Sequence, residues 1–252
     1  MTRWMPAVAV MVALALSTQT GELGRALMPD PPFGLPLLRL VLVAAFDVAL
    51  LLAAVRLTGV RPGAAWASAG LTGAPLRGPL AAAAVIFLPA TVWAHLAAGG
   101  LAEVDLQSLA WGAVGAPVSE EILYRGLALG VMVRLCGLPF WPSLFAPAMI
   151  FGLAHLWQGE TLADTLGVVA ITGLGGLFFG WLWRAWGWNL WPPILAHAGL
   201  NALWSLYDLG ANAVGGLEGN LVRIAVIAGW IAAAMLFTRW SRRPGEKLIT
   251  EP

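Results

Sequence analysis

Six residues of this chain have types and spacings suited to acid–base chemistry. With Phe151 they form three patterns, Glu120-Glu121-x-x-x-Arg125, Phe151-x-x-x-His155 and His197-x-x-x-Asn201. On a helix, residues four apart share a face, so Glu121 and Arg125 can pair. Glu120 lies about 100° round the same helix and is left over. Of two adjacent carboxylates beside one arginine, one stays ionised and structural while the other is free to accept a proton. Phe151 sits one turn before His155, so its ring can pack on the imidazole and hold it. His197 and Asn201 project from one helical face, and both can donate hydrogen bonds into the same cavity. Each pattern also has a plainer reading. The first can be a capped, salt-bridged helix start, the second an interfacial histidine, and the third a pair of inter-helix hydrogen bonds. The plain reading of the first pattern leaves Glu120 unexplained.

The elements that must position these residues are membrane spans. The chain has 252 residues, 60% hydrophobic and only 11% charged, against roughly 25% charged in soluble domains, and its mean hydropathy is +0.80. A net charge of +1 gives no field that would attract nucleic acid. Apolar stretches fall at about 4–20, 36–55, 79–98, 104–133, 142–157, 162–183, 190–207 and 220–238, the longer ones meeting the roughly 20 residues that a spanning helix needs. The fold class expected is therefore an all-α polytopic membrane protein of about eight transmembrane helices. It would be a single transmembrane domain over 1–252, with the motif-bearing core at about 104–208. Trp141, Trp157, Trp188 and Trp191 flank Pro, Gly or loop residues and suit a headgroup-level belt.

Basic residues orient the spans. With both termini cytoplasmic, the inside connections hold Arg3, Arg56, Arg61, Arg77, Arg134, Arg184, Arg239, Arg242, Arg243 and Lys247. The outside ones hold Glu22, Asp30, Glu103, Asp105, Glu160, Asp208 and Glu218, with Arg25 as the exception and Arg39 and Arg223 near outer span ends. This is the positive-inside pattern. The alternative of a cleaved signal peptide at the first apolar run is set aside, because an uncleaved first span keeps that pattern consistent.

Two spans stand out. In the fourth, Gly112, Gly115 and Pro117 loosen the helix, and Ser119 is expected to cap a fresh one, with both glutamates in its first turn. In the sixth, Gly173, Gly176 and Gly180 form a small-residue face that lets a neighbouring backbone approach. Asp47, inside the second span, has no motif partner and is read as structural, with an arginine elsewhere as one partner it could take. His95 is read as interfacial, and Cys136, the single cysteine, as a small apolar filler. A charged group in a bilayer costs at least about 2.5 kcal/mol, so those retained there pair or act.

The three motifs, in this order and each in its own span, closely resemble the CPBP family of intramembrane proteases, the type II CAAX prenyl proteases and the bacteriocin-processing and immunity enzymes. The resemblance covers about 80 residues, from Glu120 to Asn201. It implies an eight-helix intramembrane endopeptidase. In it Glu120 and His155 activate a water, His197 and Asn201 stabilise the oxyanion, and Glu121 and Arg125 hold the first motif in place. No cofactor is favoured. If a metal such as zinc takes part, Glu120, His155 and His197 are its ligand types, but there is no His-Glu-x-x-His helix and Asn201 suits an oxyanion better than zinc. The implied partners are the bilayer and a peptide or protein substrate, lipidated or membrane-anchored ones included, and no nucleic acid. A single lysine among many Ala, Gly and Arg points to a prokaryotic cell membrane. Two alternatives make different demands. A transporter or proton relay needs inverted repeats and paired broken helices, and a non-catalytic scaffold of the same fold needs eroded motifs. The sequence has one broken helix, no repeat and intact motifs.

Overall fold

In an apolar solvent every backbone N–H and C=O must be satisfied within its own segment, which leaves the helix as the open-chain solution. The computed structural model describes residues 4–29 and 36–241, and these form ten helices with no strand among them. Arg3, Asp30, Arg242, Arg243 and Lys247 lie outside the described residues. The helices are α1 (Trp4–Ser17), α2 (Thr20–Leu27), α3 (Pro36–Leu57), α4 (Pro62–Ser68), α5 (Arg77–Ala98), α6 (106–135), α7 (Phe140–Leu153, continued by a 3₁₀ turn at Leu156–Gln158), α8 (Leu162–Ala185), α9 (Trp191–Tyr207) and α10 (Leu217–Ser241).

Five helices are long and apolar enough to cross a membrane: α3, α5, α7 with its 3₁₀ turn, α8 and α10. The pair α1 and α2, bent by 46°, makes a sixth if it is one span. The other two expected spans are helical as well, as α6 and as the 17-residue α9. The outward surface is apolar, with Leu57 88%, Leu96 75%, Val85 74% and Leu88 69% exposed, and lipid is the solvent that such a surface fits. Trp141 and Trp157 project outward, whereas Trp188 and Trp191 are half-buried against the core.

Lipid tails are as apolar as leucine, so helix association rests on close packing and inter-helix hydrogen bonds. One packed cluster joins α1, α3, α6 and α7 through Val10, Leu14, Leu51, Val55, Leu127, Leu129 and Leu144. A second joins α5, α8, α9 and α10 through Ala94, Phe179, Leu182, Leu203, Val226 and Trp230. Helix α8 meets α7 on its glycine face. A Cβ at Gly176 would lie 3.1 Å from Ala148 Cα, and one at Gly152 would lie 2.8 Å from Val169 O. The small-residue expectation for Gly173, Gly176 and Gly180 is met.

The expected break in the fourth span is absent. The backbone stays right-handed helical at Ala110, Gly115, Glu120 and Gly130, the residues that join its pieces. Ser119 caps nothing, since its hydroxyl donates to Ala116 O at 3.0 Å within the helix. The chain instead widens into π-helix at Trp111–Gly115, Glu121–Leu129 and Val131–Leu135. The wider turn before Pro117 carries the proline without a break. Asp47 is buried on α3, beside the Thr20 side chain at the bend between α1 and α2, and has no arginine partner among the described residues. His95, in the last turn of α5, is exposed and edges onto Tyr207 at 5.9 Å. Cys136 is buried, as a filler should be.

Candidate active site

Helix α6 supplies the first motif. Arg125 Nη1 donates to Glu121 Oε1 at 3.0 Å, and both side chains are closed off from solvent, at 2% and 0% exposure. One turn of helix separates them, so the pairing follows from spacing alone. The second guanidinium nitrogen, Nη2, has no hydrogen-bond partner among the described residues. Instead the guanidinium lies over the Phe151 ring at 4.6 Å and near the Phe179 ring at 5.4 Å. A desolvated cation over an aromatic face gains about 2 kcal/mol, which helps to keep this charge inside. Glu120 turns away from the pair and keeps 27% of its side chain exposed.

Helix α7 supplies His155 where it ends. Its Nδ1 lies 2.7 Å from Phe151 O. A carbonyl can only accept, so Nδ1 carries the proton and the Nε2 lone pair is free in the neutral ring. The Phe151 ring sits 4.7 Å from the imidazole, centre to centre, as the spacing predicted. The same ring touches Tyr124 at 5.0 Å and His197 at 6.0 Å, so Phe151 packs among residues of all three motifs.

Helix α9 supplies His197 and Asn201. His197 Nδ1 lies 2.9 Å from Glu121 Oε1, and its Nε2 lies 3.7 Å from Glu120 Oε2. Nδ1 therefore donates to the buried carboxylate, and Nε2 faces the free one. The ring stacks on Phe179 at 4.8 Å with 19° between planes. Glu121 thus serves two partners, Arg125 and His197, the second of them 76 residues away.

Asn201 Nδ2 donates to Gly112 O at 2.9 Å. That carbonyl is available for a definite reason. In the π-turn, Ala116 N–H bonds to Trp111 O, five residues back. The next N–H in line for Gly112 O belongs to position 117, which is proline and has none. A buried carbonyl without a donor is costly, and Asn201 supplies the donor. The bond uses one of its two amide hydrogens, and the second has no acceptor among the described residues.

Glu120, His155, His197 and Asn201 all line one cavity of about 980 Å³. Glu121 and Arg125 are packed behind it, so the structure brings all six sequence candidates together. The cavity ends at the connections 155–161 and 208–216, which are tied into a collar. Asn212 Nδ2 donates to the Asp164 carboxylate at 3.0 and 2.9 Å, and Arg223 donates to Ala213 O at 2.6 Å while lying over Trp204 at 4.4 Å. Sequence reasoning missed Phe179, Gly112 and this collar. Only Gly112 left a trace there, in its place upstream of Pro117.

Among the described residues no three His, Cys, Asp or Glu side chains gather as a ligand set. His155 and His197 each give Nδ1 to a protein acceptor, which leaves Nε2 of each ring as the nitrogen facing the cavity.

Residues 102–203 match the family model of the Rce1-like, type II CAAX prenyl endopeptidases. The match contains every residue of the three motifs and supports a CPBP-family intramembrane protease. No curated protein and no solved structure matched the chain.

Proposed function

From an Rce1-like, CAAX-type endopeptidase segment at residues 102–203, we propose that this multi-pass membrane protein hydrolyses peptide bonds with a water activated by Glu120 and His155. The observation that carries the reading is the convergence of Glu120, His155, His197 and Asn201 on one cavity. Glu120 is the free carboxylate there and acts as general base, taking a proton from water. His155 offers a lone pair at Nε2 to hold and orient that water. The hydroxide attacks the carbonyl carbon of the substrate, and the oxyanion that forms accepts from Asn201 and His197.

His197 can donate from Nε2 only as an imidazolium, since its Nδ1 hydrogen is committed to Glu121. Glu121 at 2.9 Å and Glu120 at 3.7 Å are its two carboxylate neighbours. On collapse the C–N bond breaks, and Glu120 returns its proton to the leaving nitrogen. The proton taken from water thus ends on the leaving nitrogen, with Glu120 restored.

The test is cleavage of a peptide mixture by the purified chain in detergent, read by mass spectrometry. Glu120→Ala and His155→Ala should each abolish cleavage while the protein keeps its helical circular dichroism. Wild-type cleavage should survive exhaustive chelation. Full activity in either variant would sink the assignment, and activity lost to chelator and restored by zinc would replace the metal-free route.

A further inference from the structure

The connections between helices sort into two opposite faces. On one lie 58–76, 136–139 and 186–190, with 186–190 bound to 58–76 and 58–76 bound to the helix end that precedes 136–139. Leu190 N–H donates to Gly70 O at 3.0 Å, Arg134 Nη1 to Ser68 O at 2.9 Å and Asn189 Nδ2 to Pro75 O at 2.8 Å. On the other, 99–105, 155–161 and 208–216 are linked to α9 and to each other. Ala102 N–H donates to Leu206 O at 2.8 Å, and Asn212 Nδ2 to Gln158 O at 3.4 Å.

The charges divide with the faces. Arg56, Arg61, Arg77, Arg134, Arg184 and Arg239 all lie at the first face, which has no Asp or Glu among the described residues. Glu103, Asp105, Glu160, Asp164, Asp208 and Glu218 lie at the second. Its basic residues are Arg25, which is paired with Glu22, Arg39 and Arg223. Acidic residues count for little in orientation, but the excess of arginine in short connections sets which side stays cytoplasmic. The cavity that holds Glu120, His155, His197 and Asn201 reaches Gln158, Glu160, Asn212 and Ala213 of the second face, and no connection of the first face lines it.

We propose that the catalytic cavity opens on the side away from the cytoplasm. Its substrates are then polypeptide segments on the non-cytoplasmic side of the membrane, such as exported chains or the outer portions of membrane proteins. The sidedness stands on charge and geometry alone, and the statement about substrates rests on the endopeptidase reading.

Both parts can be tested on the full chain in a bacterial host. Cys136, the single cysteine, is replaced by Ala, and one cysteine is placed at Ala211 or Leu101 on the cavity face, or at Gly63 on the other. Ala211 and Gly63 are exposed, Leu101 is 66% exposed, and a side chain at Gly63 meets open space. A membrane-impermeant maleimide should label Ala211→Cys and Leu101→Cys in intact cells as fully as after permeabilisation. It should label Gly63→Cys only after permeabilisation. The reverse pattern, or equal labelling of both faces in intact cells, overturns the proposal.

An impermeant peptide mixture is then given to sealed vesicles of each orientation, with Glu120→Ala as the blank. Cleavage by right-side-out vesicles alone supports the substrate side, and cleavage by inverted vesicles alone overturns it. No cleavage by either, with the expected labelling, overturns the endopeptidase reading and its substrates while the sidedness survives.

Discussion

Glu121 holds the candidate site together at the scale of single residues. Its Oε1 accepts from Arg125 at 3.0 Å and from His197 at 2.9 Å. Removing Arg125 leaves a fully buried carboxylate with only the imidazole beside it. Breaking a buried pair from one side costs about 3–5 kcal/mol. Arg125→Ala should therefore lower the thermal midpoint in detergent markedly and lose cleavage with it. An unchanged midpoint would argue against the pair.

Pro117 offers a finer test. In Pro117→Ala a new N–H at position 117 competes with Asn201 for Gly112 O. The amide then swings free, and kcat should fall by about 10²-fold, the usual cost of losing an oxyanion donor. KM and the thermal midpoint should hold. A drop in KM-dependent binding instead would mean that the proline serves only the helix.

These residues also mark what the sequence makes legible. The Glu121–Arg125 pair follows from a spacing of four. The Glu121–His197 bond does not, because it joins helices that only the tertiary packing brings together. The Asn201–Gly112 bond needs the helix register as well, and nothing in the pattern Gly112, Gly115, Pro117 distinguishes a widened turn from a broken one.

At the scale of helices, the position of His155 depends on how closely α7 lies on α8. Backbone meets backbone there, since a Cβ at Gly152 would come within 2.8 Å of Val169 O and 3.3 Å of Gly173 Cα. Overpacking of this kind costs about 1–3 kcal/mol. Gly152→Val should therefore destabilise the protein and push the end of α7 outward, cutting cleavage far more than the folded fraction falls. Activity that tracks the folded fraction alone would show that His155 tolerates the shift. The glycine face of α8 was readable because small residues at helical spacing have one common use in membranes. The continuity of α6 was not, since Gly and Pro more often end a helix than widen it.

At the scale of the whole molecule, the candidate site sits in the segment 102–203 that matches the family model, yet that segment does not stand alone. Val10, Leu14, Leu51 and Val55 of α1 and α3 are buried against Leu127, Leu129 and Val131 of α6. Leu51→Ala should lower the thermal midpoint, by an amount equivalent to about 2–5 kcal/mol. It should leave the activity per folded molecule unchanged. A selective loss of activity would give the first helices a direct part in the site. From sequence these helices read only as apolar, because lipid-facing and helix-facing leucines look alike in a bilayer. The polytopic helical class was legible for the same reason, since composition alone selects the solvent.

The π-turns of α6 make the site sensitive to residue count as well as to residue identity. Thirty residues wound as an ordinary α-helix would run to about 45 Å, well past a hydrocarbon core of about 30 Å. The wider winding takes up some of that surplus. Deleting one residue between Trp111 and Gly115 would return the coil to α register and rotate Glu120 by about 100° away from His197. Helix α6 therefore works as a vernier, in which one residue more or less dials the glutamate into the cavity or out of it.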